Sequence, residues 1–219
     1  MNARIELKKL YLCGRNFLLS VLPAVSSANP DSETLLRIAV LRLDRLGDLV
    51  LSMAVFSELK LRFPKATLAA CVSESFVDLV ATHPDVDIIY GFPASGSWLK
   101  KLLSLKKLRR FKPDLIIDLE ASYRFFPLLF AILSGARYRA GFALFGKERL
   151  YHVCYKPESD RQHLTVLNQK LIERITGKAF GSSLFCHDEV VAQLKHDSQK
   201  WLEKKSHPAA YSYFVIHPG

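Results

Sequence analysis

Apolar residues recur along this chain in two rhythms. Short aliphatic runs end at Gly, Pro or acidic residues, and longer stretches between them repeat apolar positions every three or four residues. The short runs predict strands at 36–43, 67–73, 86–90, 114–119, 138–142 and 151–155. The longer stretches predict helices at 48–62, 74–81, 98–111, 122–134, 161–176 and 187–204. Strands this apolar must be covered on both faces, as in a parallel sheet. Repeated strand–helix units therefore predict an α/β fold, a Rossmann-like doubly wound parallel sheet. A final run, Tyr213 to Gly219, reads as the first strand of a further domain. The expected organisation is an N-terminal helix and linker over 1–35, a Rossmann-like domain over 36–205, and the start of a second domain over 206–219.

The segment Arg37 to Ser52 concentrates candidate chemistry. A buried strand is followed by Gly47, which suits a sharp turn, and by Asp48 in the first turn of a helix. Helix N–H groups and the helix dipole favour an ionised carboxylate there. Open α/β sheets place ligands at this carboxyl edge, so Asp48 is a candidate general base. The alternative is that Asp44 or Asp48 merely caps the helix. Asp118 and Glu120 end the fourth predicted strand on the same edge, with Ser122, Tyr123 and Arg124 following. They could hold hydroxyls of a polar ligand, or Asp118 could be a buried strand-end group bonded to loop backbone. His163 opens a helix after the basic loop 147–161, as a contact for an acidic substrate or as a helix-terminal polar residue. Asp85-Val86-Asp87 has a metal-like spacing but sits at a turn, and is read as structural.

Composition narrows the classes. With 219 residues and 49% hydrophobic content, the chain builds a real core rather than a disordered ensemble. Its 31 Lys and Arg against 21 Asp and Glu give a formal charge of +10, which points to an anionic partner. Much of that charge lies between Lys100 and Lys112, where no acid occurs. Interleaved Leu99, Leu102, Leu103, Leu105 and Leu108 predict an apolar helix face with the cations outward. This suits an anionic membrane surface better than nucleic acid, because no aromatic residues interleave for base stacking. The N-terminal stretch, with Leu7, Leu10, Leu18 and Leu22 among basic residues, admits three readings. It is a signal peptide, a membrane-surface helix, or a helix packed on its own domain. Four widely spaced cysteines without a CxxC pair argue against a zinc site or a disulfide framework and fit a reducing, cytoplasmic setting. Neither the dinucleotide fingerprint nor the P-loop nor the G-x-S-x-G elbow is present.

Five stretches together resemble the glycosyltransferase family 9 heptosyltransferases. They are RIAVLRLDRLGDLVLSMAVFSELKLRFP, HPDVDIIYGF, KPDLIIDLEASYR, RQHLTVLNQKLIERITG and YFVIHPG, in the family's order over roughly 36–219. The resemblance implies the N-terminal acceptor domain of a GT-B fold, with Asp48 as the base of an inverting, metal-independent sugar transfer. It implies acceptor contacts from Arg45, Gly47, Asp118, Glu120, Arg124 and His163, and donor contacts from His217 and Gly219. No cofactor is implied beyond the donor substrate, an ADP-heptose type nucleotide-sugar. The implied acceptor is a phosphorylated, Kdo-bearing lipopolysaccharide core or lipid A-type molecule, met peripherally at the inner membrane, with no nucleic acid partner. The donor-binding loops that follow HPG in the family are not in this sequence. The chain alone is therefore expected to be inactive, with a separate donor-domain polypeptide as a possible partner. The alternative is a non-catalytic, membrane-associated glycolipid-binding module, or a decayed enzyme.

Overall fold

A computed structural model describes residues 13, 14, 17, 19–30, 34–93, 98–122, 124–159 and 162–181. The predicted helix at 187–204, the terminal strand, and with them His217 and Gly219, lie outside the described residues, as does Tyr123. All described residues belong to the first of two compact units, Met1–Leu184 and Phe185–Gly219.

Six strands form one sheet: β1 (Arg37–Arg42), β2 (Thr67–Ser73), β3 (Ile88–Phe92), β4 (Leu115–Asp118), β5 (Tyr138–Phe142) and β6 (Val153–Tyr155). Every pairing is parallel, in the spatial order β3-β2-β1-β4-β5-β6. The helices are α1 (Leu46–Arg62), α2 (Val77–Val80), α3 (Trp98–Phe111), α4 (Phe126–Leu133) and α5 (Leu164–Thr176). This is the Rossmann-like arrangement the alternating pattern predicts. The chain winds outward from β1 in one direction, then returns to β4 on its other side. The crevice between β1 and β4 is thus the topological switch point.

The pleat explains the layers. Ala39 and Leu41 of β1, Ala69 and Cys71 of β2 and Ile116 of β4 face one side, where Leu105 and Leu108 of α3 and Phe130 of α4 cover them. On the other side α1 and α5 pack together and against the sheet, burying Leu49, Phe56 and Leu59 with Leu171 and Ile172. Asn168 Nδ2 donates to Ser52 Oγ at 3.1 Å across that helix pair. Gly177, at φ 67°, closes α5 in the left-handed conformation that glycine tolerates.

Several boundaries move for physical reasons. α1 starts two residues early, and Gly47 does not make the turn; it is a helical residue with open space around its Cα. The bend is made by Leu43 to Arg45, with Arg45 extended at φ −86°, ψ 151°. β3 starts two residues late, because Asp85 and Asp87 bond outside the ladder. Asp85 Oδ2 accepts from Ser57 Oγ at 2.7 Å, and Asp87 Oδ2 accepts from the Leu68 N–H at 2.7 Å and Lys60 Nζ at 2.9 Å. α4 starts at Phe126 rather than 122, with Pro127 in its first turn, where a missing N–H is tolerated. α5 starts at Leu164 rather than 161.

The face of α3 is also narrower than its leucine pattern predicts. Leu105 and Leu108 are buried, but Leu99, Leu102 and Leu103 are exposed. From Leu19 onward the N-terminal segment packs on its own domain. Leu19 is buried with Leu128, Leu150 and Tyr151, and Val25 and Ala28 donate backbone bonds to Arg149 and His152. No helix among the described residues is long and apolar enough to cross a membrane. The described cysteines Cys13, Cys71 and Cys154 are free thiols.

One glycine is required by close packing. At Gly141 of β5 an added Cβ would stand 2.7 Å from Tyr151 Cε1 and 2.8 Å from Cε2. The Tyr151 ring is buried and its hydroxyl donates to Asp118 Oδ2 at 2.5 Å, so it has no room to retreat. Gly141→Ala is expected to destabilise the domain by about 1–3 kcal/mol. An unchanged urea unfolding midpoint would show that the ring can move aside.

Candidate functional site

β1 and β4 end side by side, and the loops that leave them build a cavity of about 610 Å³. Asp44, Arg45 and Asp48 enter it from the β1 loop and first turn of α1. Glu120, Ser122 and Arg124 enter from the β4 loop, and Gln162, Leu164 and Leu167 close it from α5 and its approach. A larger cavity, about 840 Å³, lies beside β6 and the last turns of α5. There the one lining acid, Glu173, is taken up by Lys170 Nζ at 2.8 Å, whereas the smaller cavity gathers Asp44, Asp48 and Glu120.

Beneath Asp44 and Asp48 lies Arg42, the last residue of β1, whose side chain is only 1% exposed. One guanidinium nitrogen donates to the Leu119 carbonyl at the end of β4. Nη2 lies 3.6 Å from Asp48 Oδ2. Nε lies 3.0 Å from Asp44 Oδ1, close enough to pair in charge but not aligned as a hydrogen bond. Burial pushes the Asp44 carboxyl up to about 7 against the pull of Arg42, with Glu120 and a hydrogen bond to Asp48 adding to the rise. Glu120 is buried, and its Oε2 has no hydrogen-bond partner; Arg124 Nη1 stands 3.8 Å away. Asp44 and Asp48 thus flank one fixed guanidinium at the switch-point crevice, and Glu120 stands close enough to act on the charge of Asp44.

The predicted residues divide. Arg45, Asp48, Glu120 and Arg124 share the cavity wall. Asp48 is not the cap of α1: Arg45 is the N-cap residue and makes no side-chain capping bond. Asp48 sits in the first turn with its side chain 35% exposed, available to a ligand. Asp118 lies behind the wall, fully buried, accepting from the Glu120 N–H at 3.0 Å and from Tyr151. Burial raises its pKa, while Lys147, the Tyr151 hydroxyl and the Glu120 N–H pull it down. It is the strand-end scaffold that fixes the Glu120 turn. Lys147, also buried, donates to the Ser122 carbonyl at 2.9 Å and steadies the same loop. His163 is the N-cap of α5: its Nδ1 accepts from the Thr165 N–H at 3.4 Å, while its neighbours Gln162 and Leu164 line the cavity.

Arg42 and the pairing of Asp44 with Asp48 were not legible as a site. Their signal is the spacing Arg42-x-Asp44-x-x-x-Asp48. Arg42 ends β1, Asp44 lies in the bend and Asp48 in the first turn of α1, so the turn folds both acids back onto the guanidinium.

Comparison with known proteins supplies the frame for this geometry. No protein-family model matches the sequence, and no curated protein matches it. Solved structures do. A family 9 glycosyl transferase from Veillonella parvula DSM 2008 superposes with a TM-score of 0.61 at 17% identity, over 84% of this chain and 53% of that one. E. coli ADP-heptose lps heptosyltransferase II gives 0.57 at 15% identity, over 80% and 52%. E. coli heptosyltransferase WaaC with ADP gives 0.56 at 14%, over 68% and 49%. The fold is that of a Rossmann-like half of these glycosyltransferases. The chain spans about half the length of each.

Proposed function

We propose that this chain supplies the acceptor wall of an inverting, metal-independent GT-B glycosyltransferase that moves a heptose-type sugar from an ADP-sugar to a lipopolysaccharide-core acceptor. One observation carries the reading. A partly exposed carboxylate, Asp48, stands in the first turn of the helix after β1, inside the cavity at the switch point. The fold likeness to heptosyltransferases, one of them with ADP bound, supports the substrate class.

In this mechanism Asp48 takes the proton of an acceptor hydroxyl. The acceptor oxygen bonds to the anomeric carbon from the face opposite the leaving group. The bond from that carbon to the diphosphate oxygen breaks, and ADP departs with the electron pair. Arg42 holds Asp48 in place, while Arg45 and Arg124 offer positive charge to acceptor phosphates. Glu120 and Ser122 accept from sugar hydroxyls. The donor contacts expected of His217 and Gly219 lie outside the described residues.

Titration of the chain with a delipidated, phosphorylated lipopolysaccharide-core oligosaccharide tests the acceptor wall. Saturable binding is expected, and Arg124→Ala should weaken it about tenfold to a hundredfold through loss of a charge-assisted contact. Absence of binding, or binding indifferent to Arg124, sinks the acceptor assignment.

A further inference from the structure

The geometry points to the amino-terminal ends of α3 and α4 as a docking surface for an anionic lipid bilayer. α3 carries six cations and no acid in 14 residues, yet its first half does not bury its apolar side chains. Trp98 is 57% exposed, Leu102 and Leu103 are each 52% exposed, and Phe126 on α4 is 39% exposed. Trp98 and Phe126 join the two helices, their ring centroids 5.6 Å apart. Lys101 Nζ lies over both rings, 5.9 Å and 5.3 Å from the centroids. The result is an aromatic and aliphatic patch bordered by Lys100, Lys106 and Lys107, all exposed. A contiguous exposed apolar patch of this kind marks an interaction surface.

Charge selects the occupant. No Asp or Glu occurs from Ile88 to Pro113 or from Ala121 to Lys147, the two stretches that carry α3 and α4. A second copy of the same face would bring like charges together. Nucleic acid would take the cations but leave Leu102 and Leu103 against phosphate and water. A bilayer surface satisfies both halves, with cations at the headgroups and Trp98, Phe126 and the leucines at the acyl boundary. Trp is a side chain favoured at that depth, because its ring is apolar and its N–H is polar. Both helix ends follow the carboxyl ends of their strands, β3 and β4, as does the Glu120 side of the cavity. A lipid-anchored ligand held at the surface would therefore present its polar head on the edge where the cavity opens. The surface itself does not depend on the transferase reading.

Co-sedimentation with phosphatidylcholine vesicles, with and without phosphatidylglycerol, tests it on the chain as it is. Binding is expected on the anionic vesicles, and Lys100→Gln/Lys106→Gln/Lys107→Gln should weaken it roughly a hundredfold. Leu102→Gln/Leu103→Gln should weaken it roughly tenfold or more without touching the charge. Trp201→Phe leaves Trp98 as the sole fluorophore of its type, and brominated lipid should quench its emission. The lysine and leucine variants alter exposed positions, and their unfolding midpoints should match the parent. Binding unaffected by both sets of substitutions, or Trp98 emission unchanged on binding, overturns the proposal. So does a preference for single-stranded RNA over vesicles, or a patch consumed by dimerisation. Neither donor nor acceptor enters this measurement, so its failure would leave the sugar-transfer reading standing.

Discussion

Arg42→Met is expected to remove about 3–5 kcal/mol of stability at pH 8 and distinctly less at pH 5. The guanidinium is buried at the meeting point of β1, β4 and α1, facing Asp44, Asp48 and the Leu119 carbonyl. Methionine fills much of the volume but removes the cation, so Asp44 and Glu120 face each other without it. In the native chain Asp44 keeps its proton up to about pH 7, against an ordinary value of 3.8. Between those values the folded state binds more protons than the unfolded one, so this group makes the fold less stable as pH rises from about 4 to 7. Arg42 limits that penalty by pulling the Asp44 value down. Without Arg42 the rise is larger and the loss above neutrality greater, whereas at pH 5 a protonated Asp44 has little charge to miss. A second contribution, about 1–3 kcal/mol from the Leu119 carbonyl left without its donor, is the same at both pH values. Urea unfolding at the two pH values separates the parts. Equal losses at both would mean that Arg42 serves the carbonyl alone and does not organise the carboxylates.

The same residue shows where sequence reading stopped. The aliphatic runs of β1, β2 and β4 declare buried parallel strands, because almost every residue in them is covered on both faces. The carboxyl edge then follows from topology, and with it the placement of Asp48, Glu120 and Arg124. Arg42 falls inside the predicted strand 36–43, and nothing in that run marks a charged side chain as buried. Its burial depends on a carbonyl 77 residues away and on a helical turn not yet placed. Local propensity holds no trace of either. Gly47 misled for a related reason: glycine is common punctuation in turns, but here Leu43 to Arg45 make the bend and Gly47 simply continues the helix. On α3 the spacing of leucines correctly gives a helix. How many of them are buried is set by the width of the neighbouring layer, and only Leu105 and Leu108 reach it.

Asp48→Asn should lower sugar transfer by about 10²–10⁴-fold in an assay that supplies a donor-binding half, with acceptor affinity nearly unchanged. Asparagine keeps the size and the hydrogen-bonding capacity toward an acceptor hydroxyl but has no basic oxygen to take its proton. The loss therefore falls on kcat rather than on KM. Asp44 refines the expectation. It is hydrogen-bonded to Asp48 and changes charge near pH 7, so the parent's pH–rate profile should bend there. Asp44→Asn retains a donor toward Asp48 but does not titrate. It should keep most of the rate at pH 6 and lose the bend. Asp118→Asn offers the contrast: that carboxylate is fully buried behind the wall, so its replacement should act on stability and leave the position of the bend unchanged. A bend that survives Asp44→Asn, or transfer that survives Asp48→Asn, would move the base to Glu120, the remaining carboxylate in the cavity.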